Sequence, residues 1–337
     1  MPGLGTLSLV VPTFERRTRI LALLAALDRQ TLPPSRFEVV VSIDGSNDGT
    51  REAVESLRPS FALQALWQPR RGRAAALNAG IARAAGDLLV LLDDDMEPLP
   101  SFLEAHQRAH AGRDRLGVMG AVPAVLNPAA APAARYIAAK FNGHLVNLAR
   151  AARPLELTDF YSGNFSIPRH ILAEVGGFDE DFDEYGNEDL ELSFRLARAG
   201  VELVYDAEAG ARQHNDKPFT ALAADSVSEG RTAVRFALKH PDAYPRLKLG
   251  TFRHGPRLLL LLRNSLLRFS PASARLPAWL ISLEAALSRI NLPGMSTFYR
   301  LAFGYLYWLG ARAAIQAARH AGRSIGPLSP LARDLHL

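Results

Sequence analysis

The chain has 337 residues, enough for one large domain with an appendage or for two domains, and its 48% hydrophobic and 22% charged content is that of a globular protein. This excludes a disordered, collagen-like or coiled-coil chain, and the lack of cysteine excludes disulfide scaffolds, cysteine-ligated zinc and thiol catalysis. The net charge of +5 conceals a division, because residues 240–337 carry 13 Lys/Arg against 3 Asp/Glu whereas residues 1–239 carry 26 against 31.

In chain order, Leu7 to Val11 reads as a short β-strand ended by Pro12, and Ile20 to Leu27 is apolar at helical spacing. Phe37 to Ile43 reads as a second strand, closed by Asp44-Gly45. Leu88 to Leu92 is a continuous apolar run that stops at three aspartates, as a strand buried on both faces would. Strands alternating with helical stretches predict an α/β fold with a mainly parallel sheet and crossover helices. Ligands of such sheets bind beyond the carboxyl ends of the strands, and here those ends carry Thr13 to Glu15, Asp44 to Asp48 and Asp93 to Asp95. The expected division is an α/β domain over 1–240 and a helical region over 241–337.

Beyond residue 240 the sequence becomes leucine-, alanine- and arginine-rich, with breaks expected at Pro245, Pro256, Pro271, Pro277 and Pro293. Arg257, Asn264 and Arg268 are spaced to share one helix face, which leaves the rest of that helix nearly all leucine. Leu301 to Gly310 falls short of the roughly 20 residues a transmembrane helix requires. A basic segment laced with apolar side chains points to an anionic partner, with a membrane surface favoured over a nucleic acid because no nucleic-acid-reading motif is present. Helices that cover the α/β body or form a homodimer interface fit the same pattern. With no basic leader and only a short apolar run near the start, the chain is expected in the cytoplasm, peripheral on the inner face of the membrane.

Four clusters carry chemistry. Asp93, Asp94 and Asp95 repel one another unless a cation or a donor array intervenes, and Mn²⁺ or Mg²⁺ takes carboxylate oxygen while leaving positions open for phosphate. A continuing strand would point Asp93 and Asp95 the same way and Asp94 oppositely. In Ser42 to Thr50, small residues let a ligand approach the backbone, although a turn and helix cap explain it equally. Arg70, Arg71 and Arg73 precede a small-residue helix, and guanidinium groups there suit a diphosphate or a base edge. Glu188-Asp189 opens a helix in which Leu190, Phe194 and Ala197 share a face, so the dipole favours carboxylates there and one of them can serve as a general base.

Together with Val10 to Glu15, Arg73 to Gly80, Gly163 to Ser166, Gly177-Phe178-Asp179 and Glu188-Asp189-Leu190-Glu191-Leu192 with Arg195, these clusters resemble, in order, the family 2 glycosyltransferases of the GT-A fold. The resemblance implies metal-dependent, inverting transfer of a sugar from a nucleotide-sugar donor, UDP being the commonest base, to an acceptor hydroxyl of unknown identity, lipid-linked or membrane-proximal in view of the basic tail. By resemblance Asp93 and Asp95 match the D-x-D motif, with Asp95 the better metal ligand and His214 a further one. Pro12, Thr13, Glu15, Asp44, Arg73, Asn78, Asp93 and Asp94 fall on the nucleotide-sugar side. Asp189 matches the catalytic base with Glu188 beside it, and Gly163, Asn164 and Arg195 line the acceptor or donor-sugar side. The chain departs from the pattern at Ile43, where the family often has an aspartate before Asp44. A retaining GT-A transferase, or a non-catalytic nucleotide-sugar-binding protein, is the competing expectation.

Overall fold

The computed structural model describes residues 6–150, 153–214, 216–269, 275–289, 294–335 and 337. Its strands are β1 (Leu7–Thr13), β2 (Phe37–Asp44), β3 (Ala62–Gln68), β4 (Leu88–Leu92), β5 (Met96–Pro98), β6 (Leu116–Gly120), β7 (Ala124–Val125), β8 (Asn164–Pro168), β9 (Glu202–Asp206) and β10 (Ala211–His214). The helices are α1 (Arg17–Leu27), α2 (Thr50–Ser56), α3 (Arg73–Arg83), α4 (Phe102–Ala109), α5 (Pro132–Arg150), α6 (Arg169–Glu174), α7 (Glu188–Arg198), α8 (Phe219–Lys239), α9 (Arg257–Phe269), α10 (Arg275–Arg289), α11 (Met295–His320) and α12 (Ser329–Asp334).

Seven strands form the main sheet in the order β3-β2-β1-β4-β8-β6-β9. β8 runs antiparallel to both of its neighbours, and the other pairs are parallel. β1, β4 and β8 are buried along their whole length, which is why their sequences read as unbroken apolar or small-residue runs. The sheet is thus mainly parallel as expected, with a smaller sheet of order β5-β10-β7 beside it.

Two local expectations change. β1 continues through Pro12 to Thr13, because β4 pairs with β1 only as far as Val10 and the missing proline N–H interrupts no ladder on that side. β4 ends at Leu92, and Asp93 to Asp95 form a turn rather than more strand, so strand alternation does not govern where their side chains point.

The chain divides into two compact units within the described residues. The first comprises Met1–Val125, Ala139–Asp183 and Glu188–Asn215, and the second Leu126–Ala138, Glu184–Asn187 and Asp216–Leu337. The division expected at residue 240 is therefore displaced, because α8 belongs with the C-terminal helices. α8 packs along α11 so closely that a side chain at Gly230 would strike the Tyr307 carbonyl, and one at Gly310 the Val227 carbonyl. The Leu301 to Gly310 run is the buried heart of this second unit, with Ala302, Tyr305, Leu306, Tyr307 and Trp308 all excluded from solvent. Among the described residues no helix is long and apolar enough to cross a membrane. Pro245 lies within a short 3₁₀ turn and Pro256 directly precedes α9, as breaks should. Pro277 instead falls in the first turn of α10, where a missing N–H is tolerated. The breaks expected at Pro271 and Pro293 lie outside the described residues.

Candidate active site

The ends of β1, β2 and β4 meet around the aspartate turn. The buried Asp94 carboxylate accepts the Thr13 hydroxyl at 2.7 Å and the Arg16 guanidinium at 2.6 Å, which clips the turn to the end of β1. Arg16 also stands 3.6 Å from Asp95. Asp95 is pushed up to about 6, first by burial and then by the charges of Asp93 and Asp94. Burial raises Asp94 as well, against the pull of Arg16.

Asp93 turns toward α3, where Arg73 is the hub. Its guanidinium donates to Asp93 at 2.7 Å, to the Ser162 hydroxyl at 3.0 Å and to Glu188 at 3.3 Å, so one side chain ties the β4 turn to the start of α7. Burial works against the charge on Arg73, but Asp93 and Glu188 outweigh it and hold its pKa above the ordinary value. The Asp93 carboxylate needs the space beside Gly163, since a Cβ there would lie 2.5 Å from its Oδ2. Asp189, partly accessible on the first turn of α7, is pushed up to about 7 by burial and by the adjacent Glu188 charge, with Arg73 pulling it down. A carboxyl poised near neutrality beside an arginine-bridged carboxylate pair can accept a proton from a hydroxyl.

The nucleotide-side loops are built by polar side chains that bind backbone. Asp44 accepts from the backbone N–H groups of Arg71 and Gly72 at 2.9 and 2.8 Å, and from the Gln68 amide at 2.8 Å. It therefore positions the arginine loop that leads into α3. Glu15, in a left-handed conformation (φ 53°), accepts from the Asn47 N–H, while its own N–H donates to the Ser46 hydroxyl. The two turns are thereby locked together just past Pro12. The Arg70 guanidinium lies 4.0 Å from the centre of the Phe14 ring. Ile43 is fully buried in β2, aligned with Thr13 on one side and Trp67 on the other, so an aspartate there would be desolvated.

Four expected site residues have their side chains engaged away from the aspartate turn. The Asn78 amide accepts from the Phe178 N–H and donates to the Phe178 carbonyl, an α3-to-loop clip. Asn164 is buried on the β8 face opposite the Phe165 ring, where its amide meets His106 and the Ala121 and Ala209 carbonyls; of the Gly163-Asn164 pair only the glycine abuts the aspartates. Arg195 grips Glu191 and the Val175 and Gly177 carbonyls, which holds the Gly177-Phe178 turn. The His214 imidazole pairs with Glu97 at 2.9 Å; only its backbone N–H reaches the triplet, on the Asp95 carbonyl. β10 sets that placement by pairing with β5 immediately after the turn.

Sequence reasoning missed Arg16 and Ser162. Arg16 gives no signal of its own in Phe14-Glu15-Arg16-Arg17, whereas Ser162 stands one residue before the motif glycine. Among the described residues no three acidic or imidazole side chains converge as a ready metal cage. The donor chemistry nonetheless fits a hard divalent cation: Asp93 and Asp95 offer carboxylate oxygen, the raised pKa of Asp95 marks a shortage of positive charge, and the Arg16 guanidinium already approaches that position.

Residues 8–176 match the family model for glycosyl transferase family 2, and residues 143–214 match one described as the N-terminal domain of galactosyltransferase. The chain is 30% identical over 276 residues to validoxylamine A glucosyltransferase of Streptomyces hygroscopicus subsp. limoneus, covering 73% of this chain and 60% of that protein. It thus spans under two thirds of the length of the relative. Among solved structures it resembles the mannosyltransferase PcManGT of Pyrobaculum calidifontis in complex with GDP-Man and Mn²⁺, with a TM-score of 0.55, 21% identity, and coverage of 97% of this chain and 78% of that one. It also resembles S. aureus TarS 1-349 in complex with UDP-GlcNAc, with a TM-score of 0.52, 14% identity, and coverage of 94% and 92%. These likenesses establish the GT-A fold. The family-model match over half the chain establishes the rest: this chain belongs to the family 2 glycosyltransferases.

Proposed function

We propose that the chain is an inverting glycosyltransferase that moves a sugar from a nucleoside-diphosphate sugar, with UDP the favoured base, to an acceptor hydroxyl on a lipid-linked or membrane-proximal molecule. The observation that carries this reading is the Arg73 bridge, which holds Asp93 of the aspartate turn and Glu188 of α7 on one guanidinium. Donor-side and acceptor-side carboxylates are thereby fixed relative to each other, as positioning of two reactants requires. Asp93 and Asp95 would hold a divalent cation, Mn²⁺ or Mg²⁺, which supplies positive charge to the leaving diphosphate. Asp189 accepts the acceptor proton as the hydroxyl attacks the anomeric carbon from the face opposite the diphosphate, and inversion follows. Arg16 and Arg73 hold the aspartates in place throughout. The basic, leucine-rich segment 240–337 supports the membrane-proximal acceptor.

Thermal stability should be measured against UDP-, GDP- and dTDP-sugars with and without Mn²⁺, for the wild type and for Asp95→Ala. A rise with one nucleotide that requires metal and disappears in Asp95→Ala is expected, since a ligand that binds only the native state raises its stability. A rise that survives in Asp95→Ala, or that needs no metal, would remove Asp95 from the metal site. The anomeric configuration of the product, read by NMR, separates inversion from retention.

A further inference from the structure

We propose that α9 is an in-plane anchor that docks on an anionic phospholipid bilayer through Leu258, Leu261 and Leu262, with Arg257 and Arg268 at the headgroups. The assignment deepens the membrane-proximal reading and rests on it for its purpose, but the docking itself is independent of turnover.

The helix is inside out. A helix on a water-facing surface turns its leucines inward and its arginines outward. In α9 the reverse holds at the centre: Arg263 is only 8% exposed, while Leu258, Leu261 and Leu262 are 68%, 66% and 44% exposed. Arg263 lies over the Phe252 ring at 4.2 Å and donates to the Phe252 carbonyl at 2.7 Å, and burial lowers its pKa to about 10. Leu267, on the same inward side, is buried as well. The orientation of α9 is therefore fixed by an interior arginine, and the leucine face is held outward rather than left over.

The three leucines sit at i, i+3 and i+4, which makes them one stripe. Arg257 and Arg268, eleven residues apart, both lie along one edge of that stripe and are exposed. Two of the segment's three acids are engaged elsewhere: Glu284 is buried on the Tyr299 hydroxyl, and Asp334 is paired with Arg253. Trp279 on the next helix, α10, is also 54% exposed, an amphipathic ring of the kind that favours the headgroup level.

Charge complementarity selects the occupant. A second copy docking through the same face about a twofold axis would bring Arg257 and Arg268 against a surface of the same sign. An acidic lipid surface instead takes the leucines into the acyl boundary and the guanidiniums at the phosphates, and these two contributions together give peripheral binding.

The test is flotation of the full-length protein with vesicles of phosphatidylcholine alone and of phosphatidylcholine with phosphatidylglycerol. Comparison variants are Leu258→Ser/Leu261→Ser/Leu262→Ser and Arg257→Glu/Arg268→Glu, each first checked for an unchanged thermal melt. The wild type is expected to float with the anionic vesicles only, with binding weakened by salt, and each variant to bind at least about tenfold more weakly. Wild type that fails to float, or a leucine variant that floats like wild type, overturns the proposal. So does a wild-type dimer in light scattering that the leucine variant breaks without any vesicle binding, since the face is then an interface between copies. No donor or acceptor enters this experiment, so its failure leaves the transferase reading intact.

Discussion

Asp189 has an environment that does two opposite things. Burial and the Glu188 charge raise its pKa to about 7, so near neutral pH it is part base and part acid, suited to taking a proton and giving it up again. In its proposed role as base the carboxylate is the active form, so activity should fall as pH drops through about 7. The pH–rate profile of Glu188→Gln should show that acidic limb moved to lower pH, since the like charge that raises Asp189 is gone. The sign for stability is the reverse. A carboxyl with a raised folded-state pKa holds its proton longer than the unfolded chain does, so between its ordinary pKa and about 7 the native state loses stability as pH rises. Asp189→Asn is therefore expected to cut kcat by a factor of about 10² to 10⁴, with an unchanged or higher Tm. A fall in Tm would mean that the Asp189 charge is compensated rather than strained.

At the scale of elements, β8 shows how one strand serves both site and scaffold. Gly163, just before it, makes room for the Asp93 carboxylate, while Asn164 and Ser166 point to the opposite side, toward α4. The bonds there allow one proton arrangement. The Asn164 amide nitrogen donates to two carbonyls, so its oxygen accepts from His106 Nε2; His106 Nδ1 then accepts from the Ser166 hydroxyl, whose oxygen accepts from His110 Nε2. Asn164→Ala would leave His106 and two carbonyls without their partner in a dry site. A loss of about 2–4 kcal/mol, measured by urea unfolding, is expected. A loss below about 1 kcal/mol would show that the network tolerates an open position.

For the whole molecule, the same histidines link folding to pH. Burial lowers both His106 and His110 to about 4 from the ordinary value of 6.5, with the neighbouring histidine adding to the effect at His110. The unfolded chain protonates them near 6.5 and the native state only near 4, so their contribution is complete above 6.5 and is lost progressively down to 4. Each can contribute roughly 3 kcal/mol across that window. Stability measured between pH 7 and pH 4 should fall steeply, and the fall should be shallower in His110→Gln. Parallel curves for the two proteins would sink the linkage.

Much of the first unit was legible in the chain. The apolar runs of β1, β2 and β4 and the polar residues at their ends locate the sheet and its functional edge, because strand burial and ligand placement follow from backbone geometry and local pattern. The order of the weak motifs gave the family, and the aspartate triplet and Glu188-Asp189 mark the two carboxylate groups that Arg73 joins. What the chain does not reveal is which polar residues bind backbone: Asn78, Asn164 and Arg195 carry the same polar groups as a binding residue, and the carbonyls that converge on them are brought there only by the fold. The same holds for α9. Its leucines and arginines fix an amphipathic helix, but which side faces inward was decided by the ring of Phe252 and the carbonyl beside it, which accept Arg263 and leave the leucines outside. Periodicity determines that a helix has two faces, and tertiary packing determines which one is buried.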